Sequence, residues 1–184
     1  GHCFGVPDLT PTEIALSHYT LPFRLKPFQV EVVDDLGPLD EQGHYLEMSC
    51  GKSAMATVVA LFRKLYYQER CVVIMPPILL KQWETWLKSI KPCPSVVKYS
   101  GTPAERAAMN LDADFVLVGI QIFKKEYDRF MSFFQDKQYV TIVDEATMIS
   151  NIGTDNHEKV YDFTLGRPRL MLTGTPMNNC LLYT

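Results

Sequence analysis

No two cysteines in this chain stand at metal-ligand spacing. Five are present, Cys3, Cys50, Cys71, Cys93 and Cys180. They are odd in number and scattered, with no Cys-x-x-Cys pair, which argues against both a zinc site and a disulfide framework. The histidines His2, His18, His44 and His157 show no ligand spacing either. No apolar run approaches the ~20 residues of a membrane span, so no membrane partner is expected. No secretory pattern opens the chain, and a reducing, intracellular compartment is the simple expectation. Excess positive charge is lacking as well. The net charge is −3, so any nucleic-acid surface must be a local patch and not the whole molecule. Internal repeats, low-complexity stretches and linker-like segments are missing too. What remains is an ordinary globular composition, 47% hydrophobic and 21% charged over 184 residues, enough for one domain or slightly more.

Within that domain, strand-like and helix-like stretches alternate. Residues 1–24 read as a loosely structured lead-in with one short helix from Pro11 to His18, where Thr10 is the N-cap, Pro11 stands at N1 and Glu13 at N3. A helix starts near Pro27. His44 to Leu46 is a short extended run, and Ala54 to Gln68 carries Met55, Val58, Val59, Phe62 and Leu65 at helical spacing. Cys71 to Met75 is continuously apolar and bounded by Pro76-Pro77, the pattern of a strand buried on both faces. Further strands are expected at 96–99, 115–118, 139–143 and 169–172. Helices are expected at 79–90, where Trp83 and Trp86 face the core or a partner, and at 104–110, 121–134 (in one or two pieces) and 155–164. This alternation predicts an α/β fold with a mainly parallel sheet of about six strands. Ligands gather at the carboxyl ends of such strands, and the unusual stretches fall there: 49–53, 76–77, 100–102, 119–121, 144–147 and 173–176.

Two of those stretches carry chemistry. Glu47-Met48-Ser49-Cys50-Gly51-Lys52-Ser53 lies between a strand and a helix, the layout of a phosphate-binding loop. Backbone N–H groups there, with the positive end of the helix, can cradle phosphate oxygens. Gly51 lets the backbone approach closely. Lys52 can reach the β and γ phosphates, and the Ser53 hydroxyl can ligate Mg²⁺. The second stretch is Asp144-Glu145, two carboxylates at the end of a buried strand. A naked charge is costly there, so they must be solvated, paired or metal-bound. Beside a phosphate loop, Asp144 would hold Mg²⁺, largely through water, and Glu145 would orient the attacking water. A nucleotide and Mg²⁺ are therefore the expected cofactors, with Lys52, Asp144 and Glu145 as catalytic candidates.

The order of motifs resembles the first RecA-like lobe of the superfamily 2 helicases and translocases, and most of all the Swi/Snf-type ATPases that move along duplex DNA. Leu25 to Gln29 resembles "LRPYQ", Glu47 to Ser53 "EMGLGKT", and Val73 to Trp83 "VVCPPSLLxQW". Tyr99-Ser100-Gly101 with Arg106 resembles "yxG…R", Asp114 to Gln121 "DVVITTYE", Val143 to Thr147 the "DEAH" box, and Leu172 to Asn179 "LTGTPxxN". The resemblance implies a RecA-like P-loop NTPase three-layer sandwich, with residues 25–184 as the ATP-binding lobe. It implies that Gln29 reads adenine, that Met48 to Ser53 bind nucleotide, and that Thr147, Thr173, Gly174 and Thr175 couple the site to movement. It also implies a nucleic-acid track over the loops at 76–81, 100–102 and 119–125, with Pro77, Lys81, Gly101, Thr102, Gln121 and Lys124 as candidates. Duplex DNA is the implied partner, together with a second RecA-like lobe that supplies arginine fingers; without that lobe turnover is expected to be weak.

Four positions depart from the pattern. Ser49 replaces a loop glycine and Ser53 a threonine. Thr147 stands where the box has histidine, and Gly119-Ile120 replaces two threonines whose hydroxyls would touch phosphate. These departures leave open a catalytically weak module that binds nucleic acid or a partner protein and uses ATP as a structural ligand. A small P-loop kinase is a third reading, disfavoured by the motifs at 25–29 and 172–179.

Overall fold

The computed structural model describes residues 9–38, 43–46, 51–147, 149 and 154–173. Six strands form one sheet: β1 Gly43–Leu46, β2 Arg70–Met75, β3 Val96–Tyr99, β4 Phe115–Gly119, β5 Tyr139–Val143 and β6 Arg169–Leu172. Their order is β1-β6-β5-β2-β4-β3, and every pairing is parallel. The apolar run at 71–75 is the central strand, flanked by β5 and β4. Because all strands run the same way, their carboxyl ends share one edge of the sheet.

The helices are α1 Pro11–His18, α2 Pro27–Leu36, α3 Lys52–Tyr67, α4 Leu80–Lys88, α5 Pro103–Ala107, α6 Ile120–Lys125, α7 Tyr127–Phe134 and α8 Thr154–Thr164, with a 3-10 turn at Pro77–Leu79 ahead of α4. Period-two side-chain alternation divides the strands between two cores. On one face Cys71, Val73, Met75, Leu117 and Ile142 pack under α1 to α4. On the other, Val72, Ile74, Val118 and Val143 pack under Phe123, Phe130, Phe134 and Phe163 of α6 to α8. The result is the expected three-layer sandwich. Among the described residues no helix is long and apolar enough to cross a membrane.

Local chemistry explains the element boundaries. The capping box of α1 forms as its sequence predicts: the Glu13 N–H donates to Thr10 Oγ1 at 3.2 Å and the Thr10 N–H to Glu13 Oε1 at 2.8 Å. The described part of the expected loose lead-in is instead tied into the body. Ala15 and Tyr19 are buried in the same core as α3, Lys64 Nζ donates to the Tyr19 hydroxyl at 2.6 Å, and Thr20 forms a β-bridge with Lys91. The physical reason is that α3 is apolar nearly all round, so a second layer must cover it. The expected helix at 121–134 is two helices meeting at Glu126. The far end of α3 is pinned by a buried bidentate pair, Arg63 Nε to Glu69 Oε1 at 2.6 Å and Nη2 to Oε2 at 2.7 Å, while Arg63 Nη1 donates to the Gly37 carbonyl at 2.6 Å.

Candidate functional site

The strand-end edge carries two separate groups of side chains. The first lies over β1, β6 and β5. Gly51 caps α3 in the left-handed region, φ +86°, which L side chains enter only at a cost. Space dictates glycine there as well, since a Cβ on Gly51 would lie 2.1 Å from Gln29 Nε2. Gln29 is fully buried. As the third residue of α2 it accepts the Lys26 N–H on Oε1 at 2.7 Å, which completes the start of a helix opened by Pro27. Its Nε2 is buried without a hydrogen-bond partner. A side chain that the sequence alone leaves as a solvated helix residue is thus a buried amide whose donor end lies against Gly51.

Lys52 is buried, and its ammonium donates to the Thr173 carbonyl at the end of β6. Ser53, next on α3, is half-buried. Asp144 follows β5 and is buried. Its Oδ2 accepts the Trp83 indole N–H at 2.8 Å and its Oδ1 the Glu145 N–H at 2.8 Å. Burial pushes the Asp144 carboxyl above the usual aspartate range, against the opposing pull of Trp83, the Glu145 N–H and Lys52. Folding therefore raises its proton affinity, so its contribution to stability falls as pH rises from the ordinary aspartate range through its raised pKa. Glu145 is half-buried and held at φ +54°, a region in which a non-glycine residue carries strain, of order 1–3 kcal/mol. Met48, Ser49, Cys50, Gly174 and Thr175 lie outside the described residues. Thr147 is exposed on a helical turn just after Glu145; of the coupling set, the described structure brings only Thr173 into contact with the lysine.

The second group lies over β2, β4 and β3. Pro77, Lys81, Gly101, Thr102 and Gln121 are exposed. Gly119 is explained by packing, because a Cβ there would meet Pro77 Cγ at 3.1 Å. A threonine at that position would crowd the turn that follows β2. Gly101 has φ +100°, and Thr102 caps α5 in a capping box with Glu105. Behind these loops sits a charged network. Glu126 accepts from the Tyr99 hydroxyl and from Arg106 Nε. Arg106 Nη1 donates to the Gly101 carbonyl at 2.5 Å. Arg129 donates to the Tyr99 hydroxyl at 2.7 Å, to the Arg106 carbonyl at 2.7 Å and to the Met109 carbonyl at 2.6 Å. Partial burial works against the Glu126 charge, but the hydrogen bonds from Tyr99 and Arg106 with the two arginine charges outweigh it and hold the carboxyl below the ordinary glutamate range. Lys124 stands 3.8 Å from Asp155 in an exposed pair. Among the described residues there is no cluster of three or more His, Cys, Asp or Glu side chains arranged to hold a metal.

Sequence reasoning missed Trp83 as a partner of Asp144, and Glu126 and Arg129 entirely. The "QW" of the motif after β2 was the available signal for Trp83. Nothing local marks Glu126.

The profile of the SNF2-related domain matches residues 39–182. The chain belongs to the SNF2-related family. Among curated relatives of this SNF2-related chain are the zebrafish (Danio rerio) chromodomain-helicase-DNA-binding protein 1-like, 29% identical over 170 residues covering 86% of this chain and 16% of that protein. Helicase SWR1 of Eremothecium gossypii is 32% identical over 114 residues, 59% of this chain and 7% of that protein. The chain therefore spans a small part of the length of these relatives. In structure it is similar to the Sulfolobus solfataricus SWI2/SNF2 ATPase core in complex with dsDNA, with a TM-score of 0.67, 21% identity, and coverage of 89% of this chain and 34% of that one. The Sulfolobus solfataricus SWI2/SNF2 ATPase core domain gives a TM-score of 0.66 at 23% identity, covering 85% of this chain and 33% of that one. The sheet and its flanking helices thus have the RecA-like fold of the SNF2 ATPase core.

Proposed function

We propose that this chain is the ATP-binding lobe of a DNA-dependent ATPase, spanning 25–184, that works with a second RecA-like lobe to move on duplex DNA. The observation that carries the reading is the convergence of Gln29, Gly51, Lys52, Thr173 and Asp144 from α2, α3, β6 and β5 at one end of the sheet. The residues fit an adenine nucleotide: the buried Gln29 Nε2 lacks a partner, and Gly51, having no Cβ, lets that amide lie against the start of α3. A bound Mg-nucleotide would supply the electrophilic phosphorus and the charge neutralisation that phosphoryl transfer needs. Lys52 would give its charge to phosphate oxygens, a stronger charge-assisted contact than its present carbonyl partner. Ser53 and Asp144 would hold the metal, the latter partly through water. Glu145 would orient and polarise the attacking water.

The second group provides the track. Its exposed residues Pro77, Lys81, Gly101, Thr102 and Gln121, with the half-buried Lys124, suit contacts to a phosphate backbone, which position a duplex without reading its sequence. The relatives named as helicases and the DNA-bound structural neighbour support duplex DNA as the partner. The test is ATP hydrolysis by the full-length protein with and without duplex DNA. The reading predicts stimulation that falls steeply with salt. Hydrolysis indifferent to DNA would sink the translocase reading, and nucleotide binding without hydrolysis would favour a structural role for ATP.

A further inference from the structure

Helix α4 touches both arms of the nucleotide site. Its two tryptophans stand three residues apart, on one face. Trp83 is buried and donates to Asp144 Oδ2 at 2.8 Å. Trp86 stacks on Phe23, centroids 5.3 Å apart, and donates to Thr57 Oγ1 at 2.8 Å. The fully buried Thr57 hydroxyl in turn donates to the Ser53 carbonyl at 2.7 Å. Ser53 and Asp144 are the two candidate Mg²⁺ ligands, on different elements 91 residues apart in sequence. One helix thus holds the strand end that bears one ligand and the helix start that bears the other.

From this geometry, and resting on the nucleotide reading above, we infer that Trp83 is a positioning residue for the metal. Asp144 has two oxygens. One is fixed by its neighbour's N–H, and the indole fixes the other, so the carboxylate plane is set before any cation arrives. Trp83 also meets a buried carboxylate that would otherwise lack a side-chain donor in an apolar setting, which is costly. A phenylalanine would satisfy the apolar packing of this position as well as a tryptophan; only the carboxylate makes use of the indole N–H. Trp86 and Thr57 secure the other arm, so α4 sets the separation of the two ligands as a rigid strut.

The test uses the 184-residue chain and ADP, titrated with and without Mg²⁺ by calorimetry. Trp83 is replaced by phenylalanine, and separately by β-(3-benzothienyl)alanine, which keeps the shape of indole and lacks the N–H. Both changes should leave Mg²⁺-free ADP affinity unchanged and remove roughly 10–100-fold of the gain that Mg²⁺ confers, the usual loss when a partner of a metal ligand is removed. In ¹⁵N-tryptophan-labelled unmodified chain, the Trp83 indole signal should shift on adding Mg²⁺-ADP and in Asp144→Asn. This readout holds even if the variants fold poorly. A full Mg²⁺ gain in the benzothienyl variant, or an indole signal indifferent to Asp144→Asn, overturns the positioning role and leaves the nucleotide site standing. If the unmodified chain binds no ADP with or without Mg²⁺, the nucleotide reading itself fails and takes this inference with it.

Discussion

The two halves of the strand-end edge are built on opposite plans. Over β1, β6 and β5 the polar groups are provisionally placed: Lys52 rests on a main-chain carbonyl, Gln29 Nε2 has no partner, and Glu145 is held at positive φ. Over β2, β4 and β3 the charges satisfy one another, with Glu126 serving Tyr99 and Arg106 while Arg129 closes the ring. Their carboxylates shift in opposite directions, Asp144 upward and Glu126 downward. Under the proposed function, the half that would receive a charged ligand keeps donors and strain in reserve, and the half that would present a surface is completed in advance.

The largest effects should come from attacking the conformation of the phosphate loop. Gly51→Ala adds a left-handed alanine, costing about 1–2 kcal/mol, and displaces the buried Gln29 amide, costing roughly 1–3 kcal/mol more. Denaturant melts should show the sum, and nucleotide binding should be lost with it. Gly101→Ala is the mirror experiment. Its φ is also positive, but the new Cβ would meet the Glu105 side chain, Oε1 at 2.9 Å, which belongs to the capping box of α5 and not to the nucleotide half. About 1–2 kcal/mol of stability should go, with nucleotide affinity intact. A loss of nucleotide binding in both variants would erase the distinction between the halves.

Glu126→Gln should cost about 1–3 kcal/mol, because it leaves Arg106 and Arg129 facing a neutral group. It should also change the acid limb of the stability profile. With its folded pKa depressed, Glu126 contributes stability that is fully present above the ordinary glutamate range and lost as pH falls through its lowered value. Melting temperature measured against pH should therefore fall less on acidification in Glu126→Gln than in the unmodified chain. Parallel acid limbs would show that the network stores no charge-dependent stability.

The smallest effects belong to the exposed cations. Lys81→Glu and Lys124→Glu should leave the fold unaltered, since Lys81 is exposed and the Lys124–Asp155 pair is worth little in water. Each should weaken duplex-DNA binding by the full-length protein and lower the log–log salt slope by roughly one. Unchanged slopes would move the track away from this half.

Most of the fold was legible because its signals are local. Short apolar or β-branched runs became the strands, that at 71–75 bounded by Pro76-Pro77, and Thr10-Pro11 marked a helix start that the structure reproduces. The identity of the strand-end residues was legible too, since a parallel sheet gathers them on one edge. Their partners were not. Trp83 and Asp144 are 61 positions apart, and Glu126, between α6 and α7, joins Tyr99 of β3 and Arg106 of α5, which only tertiary packing brings together. The tie of residues 9–24 into the body was not legible for the same reason, because the sequence shows the short helix at 11–18 and not the apolar flank of α3 that it covers. Gly119 looked like a lost phosphate contact until its closeness to Pro77 gave it a steric cause.

The central claim is that nucleotide binding belongs to the β1–β6–β5 half alone. Calorimetric titration of Mg²⁺ with a non-hydrolysable ATP analogue into the unmodified chain, Lys52→Ala and Glu126→Gln tests it most directly. The unmodified chain and Glu126→Gln should bind alike, and Lys52→Ala should be weaker by about 1.5–3 kcal/mol, the worth of a charge-assisted contact. Equal affinity in Lys52→Ala, or an equal loss in Glu126→Gln, would contradict the account.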